Sequence, residues 1–125
     1  MTQPPSDIKA HRQSRELELV YPDGHTHRLP YELLRVFSPS AEVRGHGPEQ
    51  RKLQTGKKYV GISDIELVGN YAVRIVFDDG HDTGIYSWPY LHDLGSNHDA
   101  YWQDYLDRLA AAGQRRDPDE QVLQL

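Results

Sequence analysis

One segment constrains the fold of this chain more than any other. Residues 71–77, Tyr-Ala-Val-Arg-Ile-Val-Phe, place a large apolar or aromatic side chain at every odd-numbered position. Because successive side chains of a strand point to opposite faces, this period of two predicts a half-buried strand. Asp79-Gly80 then favours a hairpin and a returning strand over 81–86. The residues expected to face the core are Tyr71, Val73, Ile75 and Phe77.

A bulged strand is expected just before this one. Residues 59–62 and 65–68 are strand-like, but the phase of their alternation slips by one position near Ser63-Asp64. A β-bulge produces such a slip, because one extra residue turns the following side chains to the opposite face. With Gly69-Asn70 as a tight turn, residues 57–86 predict a three-stranded antiparallel meander.

The region before the meander predicts a hairpin and a short helix. Residues 16–19 alternate Glu and Leu, Pro22-Asp23-Gly24 supplies turn chemistry, and residues 25–29 form a short returning strand. Pro30 suits the first turn of a helix, because the N–H that it lacks would have no partner there. A short helix is therefore expected over 31–37.

Two helices are expected after the meander. Ser87 is a good N-cap for a short helix over 88–94, with Pro89 in its first turn and Gly95 at its end. A second, longer helix ends near Gly113. Its apolar stripe consists of Trp102, Tyr105, Leu106 and Leu109.

The chain is expected to form one α+β domain. A small antiparallel β-meander and an N-terminal hairpin combine with short helices and one longer C-terminal helix, and 125 residues suit a single hydrophobic core. Residues 1–14 are polar and contain two prolines, so they are predicted to be a flexible leader. The domain spans 15–113, and residues 114–125 are predicted to be a flexible tail.

The composition excludes several kinds of function. The chain has no cysteine, and therefore no disulfide, no thiolate metal site and no cysteine nucleophile. Its formal net charge of −5 argues against general binding of nucleic acids. No apolar run approaches the roughly 20 residues of a membrane span, and residues 1–7 lack the apolar stretch of a signal peptide. A cytoplasmic protein without membrane association or cofactor is expected.

The first candidate binding site is the stretch from Arg44 to Lys58, which begins within a predicted loop over 38–56. Its glycines allow backbone N–H groups to converge on an anion, and its basic side chains are concentrated within an acidic protein. It either holds a phosphate, a carboxylate or an acidic protein surface, or it is a solvated loop whose glycines only permit turns. The candidate residues are Arg44, Gly45, His46, Gly47, Arg51 and Lys52.

Three aromatic residues form the second candidate surface. Tyr86, Trp88 and Tyr90 follow one another just after the meander. If they are exposed they provide a contact surface of the kind enriched in binding hot spots, and if they are buried they cover the core.

Metal and catalytic sites receive less support. His25 and His27 lie two residues apart on one strand face, which is compatible with shared metal ligation or with a solvent-facing strand. Residues 78–82 gather three aspartates around His81, but Asp-Gly is favoured in hairpin turns for backbone reasons alone. The motifs of serine hydrolases, P-loop proteins, zinc proteases and dinucleotide-binding enzymes do not occur.

Several segments resemble one bacterial family. They are residues 44–47, 61–62, 68–73 and, most specifically, the run from Phe77 to Trp88, Phe-Asp-Asp-Gly-His-Asp-Thr-Gly-Ile-Tyr-Ser-Trp. Over about residues 15–95 the chain resembles domain-of-unknown-function family 971. That family is similar to the N-terminal domain of gamma-butyrobetaine hydroxylase.

The resemblance implies a zinc site that is degenerate in this chain. In the hydroxylase-type domain, three cysteines in a Cys-x-Cys-x-x-Cys arrangement and one histidine hold the metal. One imidazole cannot form a closed four-coordinate site, because serine is a poor zinc ligand and valine is none. Packing or hydrogen bonds must then hold the segment. The matching positions here are Ser38, Ser40, Val43 and His81.

The resemblance also implies an accessory role. The oxygenase chemistry of the hydroxylases belongs to a separate, larger domain, and related domains occur joined to Mrp-type P-loop proteins concerned with iron–sulfur cluster assembly. The leading hypothesis is a non-enzymatic domain that contacts a protein partner through residues 44–58 and 86–90. The alternatives are a metal- or anion-binding domain centred on His81 with His46 or another histidine, and an uncharacterised hydrolase or isomerase.

Overall fold

Two antiparallel sheets of three strands each and four helices make up the described part of the chain. The structure, a computed structural model, describes residues 3–45 and 51–118. The arrangement confirms the α+β fold expected from the sequence, including the longer helix near the C-terminus. Of the helices in these two ranges, none is long and apolar enough to cross a membrane.

The first sheet contains the predicted hairpin and one additional strand. Leu17, Leu19 and Leu29 of the hairpin are fully buried, because the alternation of Glu and Leu turns every second side chain toward the core. The hairpin is thereby confirmed, and it forms the central and one edge strand of the sheet. In spatial order, the strands are β1 (Asp7–His11), β2 (Glu16–Val20) and β3 (Thr26–Pro30).

Strand β1 shows that the prediction of a flexible leader over 1–14 is wrong for residues 7–11. β1 pairs with β2 along its whole length, and the backbone N–H of Ser6 donates to the carbonyl of Val20 at 2.7 Å. Backbone hydrogen bonds to the neighbouring strand hold an edge strand in place. Packing of Ile8 is therefore the one side-chain contact with the core that β1 requires. Polar composition therefore did not prevent the strand from forming.

Two short helices follow the first sheet. Pro30 occupies the N-cap position of the first, one residue before the first turn in which it was predicted. The Ser40 side chain accepts a hydrogen bond from the backbone N–H of Glu42 and caps the second. The predicted loop over 38–56 therefore contains a helical turn, and its residues 46–50 lie outside the described ones. The helices are α1 (Tyr31–Val36) and α2 (Ala41–Arg44).

The second sheet is the predicted meander. A shift in register between Ile62 and Asp64 confirms the β-bulge expected from the slip in alternation. Val73, Ile75 and Phe77 face the core as predicted. The strands, in sequence and in spatial order, are β4 (Ile62–Val68), β5 (Ala72–Phe77) and β6 (Gly84–Ser87).

Two details of the meander correct the prediction. Tyr71 lies in the turn before β5 and is 57% exposed, so it does not belong to the core face. The last strand begins at Gly84 rather than at His81. Residues 81–83 leave the ladder because His81 and Thr83 form side-chain hydrogen bonds with the segment after α1.

Helices α3 (Trp88–Ser96) and α4 (His98–Ala112) complete the fold. Ser87 caps α3 as predicted, but α3 continues through Gly95. An ideal Cβ at Gly95 would lie 2.4 Å from Cγ of His27, so this glycine permits close packing of α3 on β3 instead of ending the helix. Helix α4 ends as predicted at Gly113, whose φ of 63° is the left-handed conformation that favours glycine.

The segment after α4 packs on the domain, so the prediction of a flexible tail over 114–125 is wrong for residues 114–118. The Arg116 guanidinium donates hydrogen bonds of 2.8 and 2.9 Å to the carboxylate of Glu32, which is 6% exposed. A buried carboxylate requires such a partner. Residues 119–125 lie outside the described ones.

Candidate functional site

A buried hydrogen-bond network joins the segment after α1 to the connection between β5 and β6. Ser38 Oγ lies 2.8 Å from His81 Nε2, and Ser40 Oγ lies 2.6 Å from Thr83 Oγ1. The backbone N–H of Ser40 also donates to Ser38 Oγ at 3.2 Å. Two segments that are 43 residues apart in the sequence are thereby held together.

Glu42 determines which nitrogen of His81 carries the proton. Its Oε2 lies 3.3 Å from Nδ1, so Nδ1 donates to the carboxylate and Nε2 accepts from the Ser38 hydroxyl. Burial lowers the pKa of His81 and the positive charge of Arg35 lowers it further, whereas Glu42 and Asp79 oppose the shift. The imidazole is therefore neutral at neutral pH.

The order Ser38, His81, Glu42 resembles the hydrogen-bond order of a serine-hydrolase triad. A nucleophile must reach its substrate, however, and Ser38 is completely buried. An ideal Cβ on Gly84 would lie 2.6 Å from Ser38 Oγ, so the backbone of β6 packs directly on the hydroxyl. These features favour a structural role for the three side chains.

The three aspartates beside His81 have separate structural partners. Asp79 Oδ2 lies 2.8 Å from Arg35 Nε and 2.6 Å from Lys57 Nζ. Burial alone would raise the pKa of Asp79, but hydrogen bonds from Lys57, the His81 amide and Arg35 outweigh burial and lower it. The cluster therefore stabilises a turn. The other pairs are Asp78 with Gly61 and Asp82 with Arg74.

A cavity of about 770 Å³ opens between α2 and the helices α3 and α4. Three of the predicted binding residues line it, namely Arg44, Gly45 and Arg51. Lys52 is not among the lining residues, and His46 and Gly47 lie outside the described ones. The remaining lining residues are Phe37, Asp93, Asn97, Ala100, Tyr101, Asp104 and Arg108.

Two arginines of the cavity are stacked on aromatic rings. The guanidinium carbon of Arg44 lies 5.4 Å from the ring centre of Tyr90, and that of Arg51 lies 5.2 Å from the ring centre of Phe37. Such cation–π contacts restrict long, flexible side chains. Nη1 of Arg51 is buried and has no hydrogen-bond partner among the residues that the structure describes. A buried donor without an acceptor is costly, so an oxygen acceptor from a ligand would be stabilised there.

Helices α3 and α4 supply the opposite wall, which the sequence analysis did not identify. Asp93 accepts hydrogen bonds from the Tyr101 hydroxyl and from Asn97 Nδ2, the latter at 2.8 Å. Burial, together with the hydrogen bond to the neighbouring Asp93, raises the pKa of Tyr101 to about 12. Asp104 pairs with Arg108 at 3.0 Å. The spacing of four residues between positions 93, 97 and 101 was the available sequence signal.

The prediction of a contact surface at Tyr86, Trp88 and Tyr90 is wrong for the first two residues. Tyr86 is fully buried, and its hydroxyl donates to the backbone carbonyl of Leu34. Trp88 is 8% exposed, and its ring N–H donates to a backbone carbonyl at 2.8 Å. Tyr90 is partly buried and donates to the carbonyl of Phe37 at 2.6 Å. These aromatics cover the core, and Tyr90 also supports Arg44.

The histidines of the first sheet lie beside a third histidine. The ring centres of His25 and His27 are 4.9 Å apart, and His27 Nε2 lies 3.4 Å from His92 Nδ1. Within residues 3–45 and 51–118, no three His, Cys, Asp or Glu side chains are placed to hold a metal ion. Shared metal ligation by His25 and His27 therefore gains no support.

Comparison with known families gives a match over most of the domain. The family described as gamma-butyrobetaine hydroxylase-like, N-terminal, matches residues 8–92. The chain belongs to this family. A search of curated proteins found no match. The matched range begins before residue 15, where the predicted resemblance began, and it includes most of β1.

Solved structures of related proteins are similar over much of their length. One protein with an NMR solution structure is 48% identical in sequence to this chain. The match covers 100% of this chain and 98% of that chain, with a TM-score of 0.83. A second protein with an NMR solution structure is 50% identical in sequence. The match covers 99% of this chain and 93% of that chain, with a TM-score of 0.81. The third is a DUF971 family protein of unknown function from Acidithiobacillus ferrooxidans, which has a crystal structure and is 41% identical in sequence. The match covers 73% of this chain and 91% of that chain, with a TM-score of 0.62. The predicted resemblance to this family is confirmed.

In this gamma-butyrobetaine hydroxylase-like domain, the four positions that the resemblance assigns to zinc do not suit the metal. Ser38 and Ser40 offer hydroxyl groups, and Val43 is a buried apolar residue. Both ring nitrogens of His81 already have partners. Zinc sites need thiolate, imidazole or carboxylate ligands around one point. Hydrogen bonds therefore hold this segment where the resemblance implies a metal.

Restoring three cysteines should create a zinc site in this domain. The variant Ser38→Cys, Ser40→Cys, Val43→Cys is expected to bind one Co²⁺ or Zn²⁺ with His81. The Ser38 Oγ to His81 Nε2 distance is 2.8 Å, and tetrahedral ligands lie about 3.5 Å apart, so a small adjustment suffices. Cobalt–thiolate absorption measures binding, and adding His81→Asn should weaken it. Stoichiometric binding that ignores His81, or no binding at all, would show that these positions do not converge on one site.

Acidification should destabilise the domain through His27. Burial lowers the pKa of His27, and the neighbouring His25 and His92 lower it further. The unfolded chain, with a histidine pKa of about 6.5, then binds more protons than the folded one, so the free energy of unfolding falls as pH drops below that value. Urea unfolding at about pH 7.5 and about pH 5.5 measures this loss.

The His27→Gln variant provides the control for this prediction. Between the two pH values, the free energy of unfolding of this variant should fall less than that of the parent. It should still fall, because the pKa of the buried His81 is also lowered. The parent effect should persist in about 1 M salt, since burial is its main cause and is not screened. A parent stability that stays constant or rises on acidification would contradict the prediction.

Proposed function

We propose that this gamma-butyrobetaine hydroxylase-like domain is a non-catalytic accessory domain that docks on a protein partner through its arginine-lined cavity. The observation that carries the proposal is the placement of Arg44 and Arg51 on aromatic rings at a cavity of about 770 Å³. Pre-positioned side chains lose little conformational freedom on binding. Arginine and aromatic residues are also the types that dominate protein interfaces.

Charge supports an acidic partner surface. The chain has a formal net charge of −5, so a local group of arginines is an exception within an acidic molecule. Complementary charge steers encounter and fixes the orientation of partners. The same net charge speaks against nucleic acid as the partner.

The non-catalytic part of the proposal is supported by the burial of Ser38 and His81 in their network with Glu42. The only nucleophile in that network is completely buried, and its histidine has both nitrogens engaged. The same engagement weighs against the alternative of a metal bound at His81, because ligation would require His81 to give up one of those partners.

The proposed setting is an accessory role beside iron–sulfur or other metal-enzyme machinery in the cytoplasm. Its support is the family relationship alone, since related domains are joined to Mrp-type P-loop proteins. The absence of cysteine is compatible with a reducing compartment and makes a ligating role in cluster assembly unsuitable for this chain itself. A docking role for the cavity fits this setting.

Partner capture should depend on the two stacked arginines. The tagged full chain is used to recover proteins from the native cell, and the quantity of each is compared with that recovered by an Arg44→Gln, Arg51→Gln variant. A genuine partner should fall by about tenfold or more, since each buried charge-assisted hydrogen bond contributes about 1.5–3 kcal/mol.

The matched control is a Lys9→Gln, Arg12→Gln variant. It removes the same two positive charges from the β1 region, which does not line the cavity. Recovery should then resemble that of the parent. Equal losses in both variants would mean that net charge, rather than the cavity, governs binding, and equal recovery in all three would contradict the proposal.

Ser38 should not react as a hydrolase nucleophile. A fluorophosphonate probe is expected to leave Ser38 unlabelled in the folded protein, in the presence of a serine hydrolase that confirms the reagent is active. Ser38→Ala should instead reduce stability by about 1–3 kcal/mol, because it leaves the buried His81 nitrogen unpaired. Labelling that maps to Ser38 by mass spectrometry would refute the non-catalytic assignment.

A further inference from the structure

The cavity has an excess of one positive charge along its lining. Its charged residues are three arginines and two aspartates, and one arginine is neutralised within the cavity because Arg108 pairs with Asp104 at 3.0 Å. Asp93 is satisfied by hydrogen bonds from Tyr101 and Asn97. Among the described residues, no carboxylate lies within ion-pair distance of the remaining two, Arg44 and Arg51.

An oxygen acceptor is missing at a defined atom. Within residues 3–45 and 51–118, buried Nη1 of Arg51 has no hydrogen-bond partner, while the Phe37 ring holds the guanidinium in place. A planar guanidinium presents paired N–H donors that match the two oxygens of a carboxylate. The geometry therefore favours a bidentate oxyanion over a neutral hydroxyl or amide.

The charge balance distinguishes a carboxylate from a phosphate. A carboxylate carries one negative charge and matches the excess of one positive charge on the lining. A phosphate group of nearly two charges would exceed it and would face Asp93 and Asp104 across the cavity. Phe37 and Ala100 add apolar wall, which suits a methylene stem behind the charged group.

We infer that the cavity binds a single carboxylate on an apolar stem, and that this group is an acidic side chain of the docked protein partner. Arg51 supplies the buried donor and Arg44 the second guanidinium, while the Phe37 ring contacts the stem. This inference rests on the proposed function and names the group that is recognised.

The test is an NMR titration of the ¹⁵N-labelled full chain. The main probe is a blocked pentapeptide with one glutamate between two leucines, and its control has glutamine in place of the glutamate. Two further probes are 3-phenylpropionate, a free carboxylic acid, and inorganic phosphate. The side-chain Nε–Hε signals of Arg44 and Arg51 are followed together with backbone amides.

The glutamate peptide should shift both arginine signals, and the glutamine peptide should not. Its affinity should fall by about tenfold or more in Arg51→Gln, the size expected for one buried charge-assisted contact, and stay unchanged in Lys9→Gln. Arg44→Gln, which replaces an exposed residue, gives a second variant with less risk to folding. A dispersed amide spectrum confirms that each variant is folded.

Each contrary result has a separate meaning. Equal binding of the two peptides, or tighter binding of phosphate, would overturn the carboxylate inference and leave docking through the cavity intact. Binding of 3-phenylpropionate without the peptide would overturn the partner side chain as ligand and the proposed docking function with it. No shift with any probe, combined with arginine-dependent partner capture, would overturn the inference alone.

Discussion

The hydrogen bond between Ser38 Oγ and His81 Nε2 is the constraint on which the site depends. It holds the segment after α1 against the β5–β6 connection, and this segment carries Phe37 on one side and the cap of α2 on the other. Phe37 forms the floor beneath Arg51, and α2 carries Arg44. Without this bond, the position of that wall of the cavity would depend on the Ser40–Thr83 hydrogen bond and on the packing of Gly84 against Ser38.

The network is weaker than the metal that the family resemblance implies, and several independent contacts offset the difference. A single hydrogen bond contributes about 1 kcal/mol, whereas a structural zinc contributes about 10–16 kcal/mol. Tyr86 and Tyr90 donate to the carbonyls of Leu34 and Phe37, so they fix the backbone just before Ser38. Val43 is 1% exposed and buries an apolar side chain, worth about 1.5–3 kcal/mol, at a position where a cysteine would have bound metal. Distributed packing thus makes a metal-free version of the segment possible.

The parts of the fold that were predicted correctly are those in which a local pattern and tertiary burial agree. The alternation of apolar residues in β5, the slip of that alternation in β4 and the apolar stripe of α4 each mark the side of the element that packs on the core. β1 was not predicted because an edge strand needs only one partly buried side chain, Ile8, and a partner for its backbone. Gly95 was misinterpreted as a helix end because its reason for being glycine is His27, which is far away in the sequence. Contacts of that kind leave no periodic signal.

The binding site illustrates the same limit for charge. The sequence identifies a basic segment over 44–58, but it does not show which of its positive charges are paired. The fold distinguishes them. Lys57 is neutralised by Asp79 at 2.6 Å, whereas Arg51 lies on Phe37 with a buried donor that finds no acceptor in the described part of the chain. The sequence gives the number of charges, and only the three-dimensional arrangement shows which of them lack a partner of opposite charge. Arg51 is therefore better suited than Lys57 to attract a negatively charged ligand.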